Sequence, residues 1–419
     1  MTNPRKKRLL ALGSLGLALS LAACSGGGSG SGSEDSGGGA NELTVWHYFS
    51  NDNQVALMDA YAQKFEDSHE GVTVNNVFQP YDQLNSKVIA AAGAQEGPDV
   101  VVFNGAEWAT LALSGALKPL DDYWADFDDA DQFSDAVQHG MDDKLYAVQG
   151  YVNLLGLWYN QDILDEIGVD PPTTMDELES AMAKAKEAGY GGITLTGLPN
   201  TQGEWQAYPW LTNAGFTYEN LDEQALADGF ATAREWVDKG YLSQEAVTWD
   251  QEVPFQTFTG GNAAFAENGN WQIGAAEDKA DFNYGVVPLP LGPEGKVYLG
   301  GEGEAIGAYS DNPDLAWEYL TETYLNADGE LKARELVGSI PARNDASQTK
   351  AEENGELLEP FATTLNERGA SYPAANLPPD VVADVQSTMG EAWSAVLSGQ
   401  QTPEDAAAQV VSTLKNMTS

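Results

Sequence analysis

Aromatic, amide and carboxyl side chains follow several predicted strands at the point where each strand ends. The first predicted strand leads to Tyr48 and Asn51, and the apolar run 100–103 leads to Asn104 and Glu107. Ligands of open α/β sheets lie outside the carboxyl ends of the strands. Aromatic rings pack against the C–H faces of sugars, and amide and carboxyl groups make directed hydrogen bonds to hydroxyl groups. The pattern favours a neutral, hydroxyl-rich ligand, with core packing of the aromatic residues as the competing interpretation.

Catalytic and metal-binding motifs are not indicated. The chain contains 64 Asp and Glu, so the carboxyl pairs about 5 to 9 Å apart that glycosidases use cannot be recognised against the background. SDN at 310–312 precedes SxxK at 347–350 and KTG is absent, which is not the order of penicillin-binding enzymes. One Cys and three His exclude a Cys-rich zinc site. We expect a protein that is not an enzyme and that holds no cofactor and no metal.

The charge balance limits the partners. Lys and Arg total 20 against 64 acidic residues, which gives a formal net charge of −44. Such a field repels phosphate backbones and anionic lipids, so nucleic-acid binding is excluded. Apolar residues make up 42% of the chain and aromatic residues 10%, which is enough to build sizeable cores.

The first 40 residues have the pattern of an export and anchoring segment. Residues 1–23 carry a basic start and then an apolar run, as secretory signal peptides do. LAAC at 21–24 resembles the bacterial lipobox, in which the cysteine, here Cys24, receives a lipid. An ordinary secretory signal with an incidental cysteine is the alternative. Residues 24–40, rich in Gly and Ser, are predicted to be a flexible tether, which would hold the body by its lipid on the outer face of the cytoplasmic membrane.

From Glu42 onward, short β-like runs alternate with amphipathic helical patterns. This alternation predicts α/β layers with a largely parallel sheet. Thr174 and Glu177 form a predicted capping box, and Gly189 is predicted to end that helix. The Gly-containing extended runs 146–159 and 282–303 are predicted to cross between two lobes.

Nearly the whole body, from Glu42 to about Leu414, resembles the extracellular solute-binding proteins of carbohydrate ABC importers, the maltose-binding-protein-like group. The stretches that carry the resemblance are, in order, ELTVWHY, GPDVVVFNGAEW, GALKPLDDYW, LWYNQDILDEIGVDPPTTMDEL, FTGGNAAFAENGNW, GGEGEAIGAYSDNPDLAWEYL and SIPARNDA. The resemblance implies an α/β, two-lobed periplasmic-binding-protein fold of type II, in which a Venus-flytrap pair of lobes closes on a ligand in the cleft.

The two crossovers predict interleaved lobes. The N-terminal lobe is expected to comprise 41–150 plus 301–345. The C-terminal lobe is expected to comprise 151–300 plus 346–419. Each lobe would then contain two separate lengths of the chain.

The resemblance also implies ligand contacts at particular positions. Trp271 falls where the family stacks an aromatic ring on a sugar, and Asn153 falls where it has a polar contact after the first crossover. Gly301 and Glu302 lie at the second crossover, where they bring backbone to the ligand or serve as a hinge. Arg343 contacts the ligand or pairs with a carboxylate, and pairing is the favoured interpretation. The complete set of predicted contacts is Tyr48, Asn51, Phe103, Asn104, Glu107, Asn153, Trp205, Tyr208, Trp271, Gly301, Glu302 and Arg343.

Among the aromatic residues of GEWQAYPW, one of Trp205, Tyr208 and Trp210 is expected to face the cleft, while the others pack in the core. The chain lacks the Asp of the maltose binders after GPD, so maltose itself is not implied.

Two classes of function remain open at this point. The favoured function is capture of a mono- or oligosaccharide by a monomeric receptor and its delivery to the transmembrane subunits of an ABC permease. A secreted carbohydrate-active enzyme, using two of the many acids, is the alternative from another class. A third possibility is a ligand-sensing module that reports to a membrane receptor.

Overall fold

The computed structural model describes residues 41–349, 355–374 and 376–418. The predicted signal peptide, Cys24 and the predicted tether lie outside the described residues, as does Lys350 of the SxxK match.

Within the described residues, strands and helices alternate over most of the chain. The strands are β1 (Glu42–His47), β2 (Thr73–Phe78), β3 (Val100–Asn104), β4 (Gln138–Met141), β5 (Lys144–Val148), β6 (Tyr151–Val152), β7 (Leu155–Asn160), β8 (Gly191–Thr194), β9 (Ala263–Gly269), β10 (Tyr284–Val287), β11 (Val297–Leu299), β12 (Glu302–Ile306), β13 (Ile340–Pro341) and β14 (Gly369–Ser371). The helices are α1 (Asp52–Ser68), α2 (Tyr81–Gly93), α3 (Trp108–Leu113), α4 (Asp121–Ala125), α5 (Gln161–Ile167), α6 (Met175–Ala188), α7 (Thr201–Asn213), α8 (Glu223–Asp238), α9 (Glu252–Thr259), α10 (Ile273–Lys279), α11 (Pro313–Glu322), α12 (Ala327–Val337), α13 (Asn344–Ser347), α14 (Gly355–Arg368), α15 (Val382–Ser398) and α16 (Pro403–Met417).

Two mixed sheets organise these elements. The first has the order β2-β1-β3-β12-β5-β4 and the second β10-β7-β9-β8. Strand β1 is parallel to β2 and β3, but β12 runs antiparallel to β3. In the second sheet only β8 and β9 are parallel. The prediction of a largely parallel sheet is therefore wrong. Strand β12 runs antiparallel to β3 and β5, and strand β7 runs antiparallel to β9 and β10.

The chain passes twice between the sheets. It leaves the first sheet after β5 and enters the second at β7, and it returns from β10 to the first sheet at β12. Helix α12 packs on α1 beside the first sheet, and α15 and α16 pack on α7 and α8 beside the second. The structure is thus α/β with two lobes. The described residues all belong to one compact unit, and the residue boundaries given above for the lobes stay a prediction.

Local sequence chemistry explains several element ends. The hydroxyl of Thr174 accepts a hydrogen bond from the backbone N–H of Glu177, and the Glu177 side chain accepts one in return from the Thr174 backbone, so the capping box is confirmed. Gly189 ends α6 with a left-handed φ of 99°, which glycine adopts without a Cβ clash. These local features determine where α6 begins and ends.

Candidate ligand-binding cleft

A cavity of about 280 Å³ lies between the elements of the two sheets. Its walls come from the ends of β1 and β3, from the starts of α2 and α7, from the loop before α9, and from both crossovers. Eight of the residues predicted from the sequence line it, namely Tyr48, Asn51, Asn104, Asn153, Trp205, Trp271, Gly301 and Glu302. The structure thus brings the strand ends and the crossovers to one place.

One wall of the cleft is an aromatic and amide cluster at the strand ends. The rings of Tyr48 and Tyr81 meet edge to face with centroids 5.0 Å apart. Nδ2 of Asn104 donates a hydrogen bond of 3.3 Å to the Tyr81 hydroxyl oxygen, while its Oδ1 accepts one of 3.0 Å from the backbone N–H of Ala106. These contacts hold the amide and both rings in fixed directions, as selective recognition of hydroxyl groups requires.

Glu302 is the buried acid of this wall. It opens β12 opposite Asn104 in the register of the first sheet, and its side chain accepts a hydrogen bond of 2.8 Å at Oε1 from the Tyr48 hydroxyl. Burial raises the pKa of Glu302, and the hydroxyl groups of Tyr48 and Tyr151 partly offset that rise. Glu302 therefore places a largely buried carboxyl group, held by Tyr48, in the lining of the cavity.

The first crossover is held to the second by backbone. Asn153 and Gly300 exchange two backbone hydrogen bonds of 3.0 and 2.9 Å. The side chain of Asn153 accepts a hydrogen bond of 2.8 Å at Oδ1 from Nδ2 of Asn270. Gly301 has a left-handed φ of 133°, and a Cβ there would lie 2.5 Å from the carbonyl oxygen of Tyr151. The crossovers therefore touch through backbone, with glycine required at this position.

Trp271 is half-buried, and its indole ring lies over Gly269. A Cβ added at Gly269 would come within 1.8 Å of the indole ring, so the glycine provides the space that the ring occupies. Trp271 also contacts the apolar core at its side, while another part of it lines the cavity. This arrangement presents a flat aromatic surface to the cleft, as stacking on a sugar requires.

The three aromatic residues of α7 have different environments. Trp205 lines the cleft, and its ring occupies the space over Gly300. Tyr208 stacks on Tyr298 with centroids 3.5 Å apart, and Trp210 is fully buried with its Nε1 donating to Glu267 at 2.7 Å. Only one of the three therefore lines the cavity.

Four predicted residues do not line the cavity. Phe103 is fully buried against Gly303, because the pleat of β3 turns it away from the face on which Asn104 lies. Tyr208 is used in core stacking, as described above. Arg343 is buried and pairs with Asp129 at 2.9 Å and with Asp345 at 2.8 Å. Arg343 therefore pairs with carboxylates in the structure, as the favoured interpretation expected.

Glu107 lies in a short 3-10 turn after β3 and is partly buried. Burial raises the pKa of Glu107. Glu107 does not line the cavity, whereas Asn104, three residues earlier, does.

Sequence reasoning missed several lining residues, namely Tyr81, Thr201, Asp250, Glu252 and Tyr372. Tyr81 follows the end of β2, so the strand-end argument that found Tyr48 would have found it as well. Asp250 and Glu252 lie in a loop and at the first turn of α9, where no sequence pattern distinguishes them from the many other acids.

The cleft walls contact each other across the opening. The side chain of Asn51 bonds to Glu252, and the hydroxyl of Tyr81 bonds to the Thr201 side chain. Asn53 of α1 lies against Gly274 of α10, where a Cβ would approach the Asn53 amide to 2.0 Å. Residues of the two lobes therefore approach each other across the cleft in the described structure.

Among the residues that the structure describes, no group of three or more His, Cys, Asp or Glu has the geometry of a metal site. No helix in the same residues has the length and apolar character needed to cross a membrane.

Comparison with known proteins gives a consistent result. A family model described as bacterial extracellular solute-binding protein matches residues 60–360. The chain is 27% identical over 397 residues to the galactooligosaccharide-binding protein of Bacillus subtilis, covering 91% of this chain and 90% of that protein. It is 24% identical over 348 residues to the maltotriose-binding protein of Pyrococcus abyssi, covering 78% and 72%.

Solved structures share the fold. The GacH receptor of Streptomyces glaucescens GLA.O, which was determined unliganded and in complex with acarbose, superposes with a TM-score of 0.80 at 25% identity over 90% of this chain and 98% of that chain. The maltose/maltodextrin-binding domain MalE of Bdellovibrio bacteriovorus, bound to maltotriose, superposes with a TM-score of 0.75 at 21% identity over 90% and 99%.

Proposed function

The chain belongs to the family of bacterial extracellular solute-binding proteins, and we propose that it captures a mono- or oligosaccharide in the cleft between its lobes and delivers it to an ABC permease. The observation that carries this proposal is the cleft itself. Trp271 presents a half-buried aromatic surface, and polar side chains on both lobes, Asn104 and Glu252 among them, line the same cavity. Aromatic faces and directed hydrogen-bonding groups are what a sugar ring needs.

Relatives support the carbohydrate class without identifying the sugar. The names of the Bacillus and Pyrococcus relatives specify a galactooligosaccharide and maltotriose. Their identity to this chain is 27% and 24%, which is too low to transfer the ligand from one protein to another. We propose the carbohydrate class for this chain and no particular member of it.

The proposed cycle requires no chemical step. The relatives are binding proteins, and a closed cleft needs only a ligand that binds the closed form more tightly than the open form. Incubation with oligosaccharides distinguishes this from the enzyme alternative. Stoichiometric capture with unchanged sugar supports a receptor, whereas turnover of the sugar would contradict it.

A thermal-shift screen over sugars, polyols and oligosaccharides tests the binding proposal. A ligand that binds only the native state raises the midpoint of unfolding by mass action. We expect at least one saccharide to raise the midpoint and to bind with one-to-one stoichiometry in calorimetry. Failure of every saccharide, with binding of a peptide or amino acid instead, would overturn the carbohydrate class.

Attachment to the outer face of the cytoplasmic membrane, by lipid on Cys24, is also part of the proposal. The LAAC sequence and the Gly/Ser tether support it. We expect Cys24→Ser to release the protein from the membrane fraction into the medium, while Ser25→Ala, a matched change next to it, leaves the protein attached. Retention of the Cys24→Ser protein in the membrane fraction would contradict the anchor.

The interleaved lobes, 41–150 plus 301–345 and 151–300 plus 346–419, are proposed as the bodies that move during this cycle. The chain crosses twice between the two sheets, which supports this division. We propose that the receptor acts as a monomer and that its only other partners are the permease subunits.

A further inference from the structure

Asn270 is a fully buried asparagine next to Trp271, and backbone groups fix the direction of its amide. Its Oδ1 accepts a hydrogen bond of 2.7 Å from the backbone N–H of Leu154, and its Nδ2 donates one of 2.9 Å to the carbonyl oxygen of Gly338. A backbone N–H only donates and a carbonyl oxygen only accepts, so these two contacts allow one direction of the amide. The reverse direction would leave both buried backbone groups without partners, which is costly.

The second hydrogen on the Asn270 amide fixes the direction of Asn153. Nδ2 of Asn270 donates it to Oδ1 of Asn153 over 2.8 Å, so the oxygen of Asn153 points toward Asn270 and its Nδ2 points away. Asn153 lines the cavity, and its backbone N–H and carbonyl oxygen are both bonded to Gly300. Among the described residues, Nδ2 of Asn153 has no hydrogen-bond partner, and it is not one of the side-chain atoms closed to solvent. The N–H groups of this amide are therefore what Asn153 offers to the cavity.

A hydrogen-bond donor matters in this cavity because its lining is rich in acceptors. Asp250, Glu252 and Glu302 contribute carboxyl groups, and among the described residues of the lining there is no Lys, Arg or His to contribute a charged donor. Hydroxyl groups of a sugar can donate to carboxyl oxygens, but its ring and glycosidic oxygens only accept hydrogen bonds. Those oxygens need a donor on the protein, and the amide of Asn153 provides one.

We propose that Asn270 is a positioning residue for ligand recognition, which holds the amide of Asn153 as a hydrogen-bond donor toward the bound saccharide. The inference rests on the proposed function and specifies one contact of the ligand. The ligand atom that faces Asn153 is an acceptor, namely a hydroxyl, ring or glycosidic oxygen. Because Asn270 sets the direction before the ligand arrives, the amide does not have to be ordered on binding.

Asn153→Asp tests the direction of the amide. The carboxylate keeps one oxygen toward Asn270 and places a second oxygen where the amide nitrogen lies. The ligands are the best saccharide from the thermal-shift screen and its complete series of monofluorinated analogues, because fluorine, unlike a hydroxyl group, cannot turn and donate. By calorimetry at pH 8, we expect Asn153→Asp to bind at least one member of this set about tenfold more weakly than Asn153→Ala, since two acceptors then face each other. The inference is overturned if Asn153→Asp binds no member of the set more weakly than Asn153→Ala.

A double-mutant cycle tests whether Asn270 acts through Asn153. Asn270→Ala alone is expected to weaken binding of the best saccharide about threefold per folded molecule, because the Asn153 oxygen loses its donor and the amide can turn. In the Asn153→Ala background, we expect Asn270→Ala to cause no further loss of affinity. An equal loss in both backgrounds would show that Asn270 affects the cleft through its other contacts, and it would overturn the positioning role. An unchanged affinity of Asn270→Ala alone would overturn it as well.

Asn160→Ala is the matched control. Asn160 is also buried, and its Oδ1 accepts a hydrogen bond of 3.0 Å from the backbone N–H of Ile163, but it does not line the cavity. We expect Asn160→Ala to lower stability and to leave the affinity per folded molecule unchanged. A loss of affinity equal to that of Asn270→Ala would mean that affinity follows stability, and it would contradict the inference. Absence of binding of every saccharide to the unchanged protein overturns the proposed function itself, whereas the outcomes above overturn only the inference.

Discussion

The position of Trp271 depends on the residue beneath it. Its indole lies over Gly269, where a Cβ would come within 1.8 Å of the ring, and one part of the side chain remains at the cavity. The ring is therefore supported by backbone and held in place before a ligand arrives. Preorganised aromatic surfaces of this kind concentrate binding energy in one residue.

Trp271→Ala is expected to weaken sugar affinity far more than stability. Removing a central aromatic anchor costs about 2 kcal/mol or more of binding free energy, close to thirtyfold. The half-buried ring contributes less to the core than a fully buried one, so the free energy of unfolding should change little. Calorimetric titration with the best saccharide from the screen, together with denaturant unfolding of the ligand-free protein, measures both quantities.

Trp210→Ala is the matched control for that experiment. Trp210 is fully buried, so its removal is expected to leave a cavity that costs about 3 to 5 kcal/mol of folding free energy. Its folded fraction should keep the affinity of the unchanged protein. Stacking by Trp271 would be contradicted if Trp271→Ala lost stability like this control and kept its affinity.

Glu204 gives a pH prediction at the scale of one residue. It is fully buried, and burial raises its pKa from 4.5 to about 7, although the hydroxyl groups of Tyr218 and Tyr298 and the amide of Gln386 lower it. The folded protein therefore holds this proton at pH values where the unfolded chain has released it. By linkage, the stability contributed by this proton is present below about pH 4.5 and is lost as the pH rises to about 7, on the order of 3 kcal/mol in total.

Glu204→Gln is expected to remove that pH dependence, because the amide does not titrate. The free energy of unfolding should fall less between pH 5 and pH 8 than in the unchanged protein. Other buried acids titrate in both proteins, so the difference between the two curves isolates Glu204. Parallel curves would show that Glu204 is ionised in the folded state at pH 5.

At the scale of residues, the sequence predicted which positions lie near the cleft better than it predicted which way their side chains point. Strand ends located Tyr48, Asn51 and Asn104 at the cavity. On α7 it failed to separate Trp205 from Tyr208, because every residue from Gly203 to Thr212 is buried and an amphipathic pattern is therefore missing. Only the tertiary packing around α7 determines which of its aromatic rings reaches the cleft.

At the scale of elements, the two crossovers meet through paired backbone, with the Gln149 amide donating to the carbonyl oxygen of Gly300 beside it. Gly301 combines a φ of 133° with a predicted Cβ contact of 2.5 Å to the carbonyl oxygen of Tyr151. Gly301 lies directly before β12, which pairs with β3, and Tyr151 lies in β6, which pairs with β13, so neither backbone can move easily. The crossover therefore depends on glycine for conformation and for space.

Gly301→Ala is expected to lower the free energy of unfolding by about 2 kcal/mol or more, as strain and close contact combine. Gly115→Ala is the control, since Gly115 also has a positive φ, 71°, but has open space where the Cβ would lie. Gly115→Ala should lower the free energy of unfolding by only about 1 kcal/mol. Urea unfolding measures both, and equal losses would show that the contact with Tyr151 is relieved without cost.

Local chemistry explains which elements were predictable. The Thr174–Glu177 capping box and the left-handed Gly189 depend on neighbours in sequence, and both were found from the sequence. The direction of β12 depends on where the chain returns after β10, more than a hundred residues beyond β3. A non-local pairing of this kind leaves no periodic signal in the strand itself, so the mixed character of the sheets was missed.

At the scale of the whole molecule, residues of the two lobes meet across the cleft. Asn51 bonds to Glu252, Tyr81 to Thr201, and Asn53 lies against Gly274. These pairs join residues that are far apart in sequence. Sequence patterns therefore gave no indication of Glu252 or Thr201 as cleft residues.

Tyr81→Phe tests whether such contacts contribute to ligand affinity through closure. It removes the hydroxyl that bonds to Thr201 of the second lobe and that accepts a hydrogen bond from Asn104 in the first, and it keeps the ring against Tyr48. Loss of the hydrogen bond between the lobes should cost about 1 kcal/mol, so affinity for the best saccharide should fall about fivefold. Tyr190→Phe is the control, because the Tyr190 hydroxyl bonds to Glu166 at 2.9 Å within the second lobe. Its affinity should not change, and small-angle scattering should show the ligand-bound Tyr81→Phe protein less fully closed. Equal affinities for the two variants would mean that the Tyr81 hydroxyl contributes nothing to closure, and the energy of the closed state would then have to come from the ligand contacts themselves.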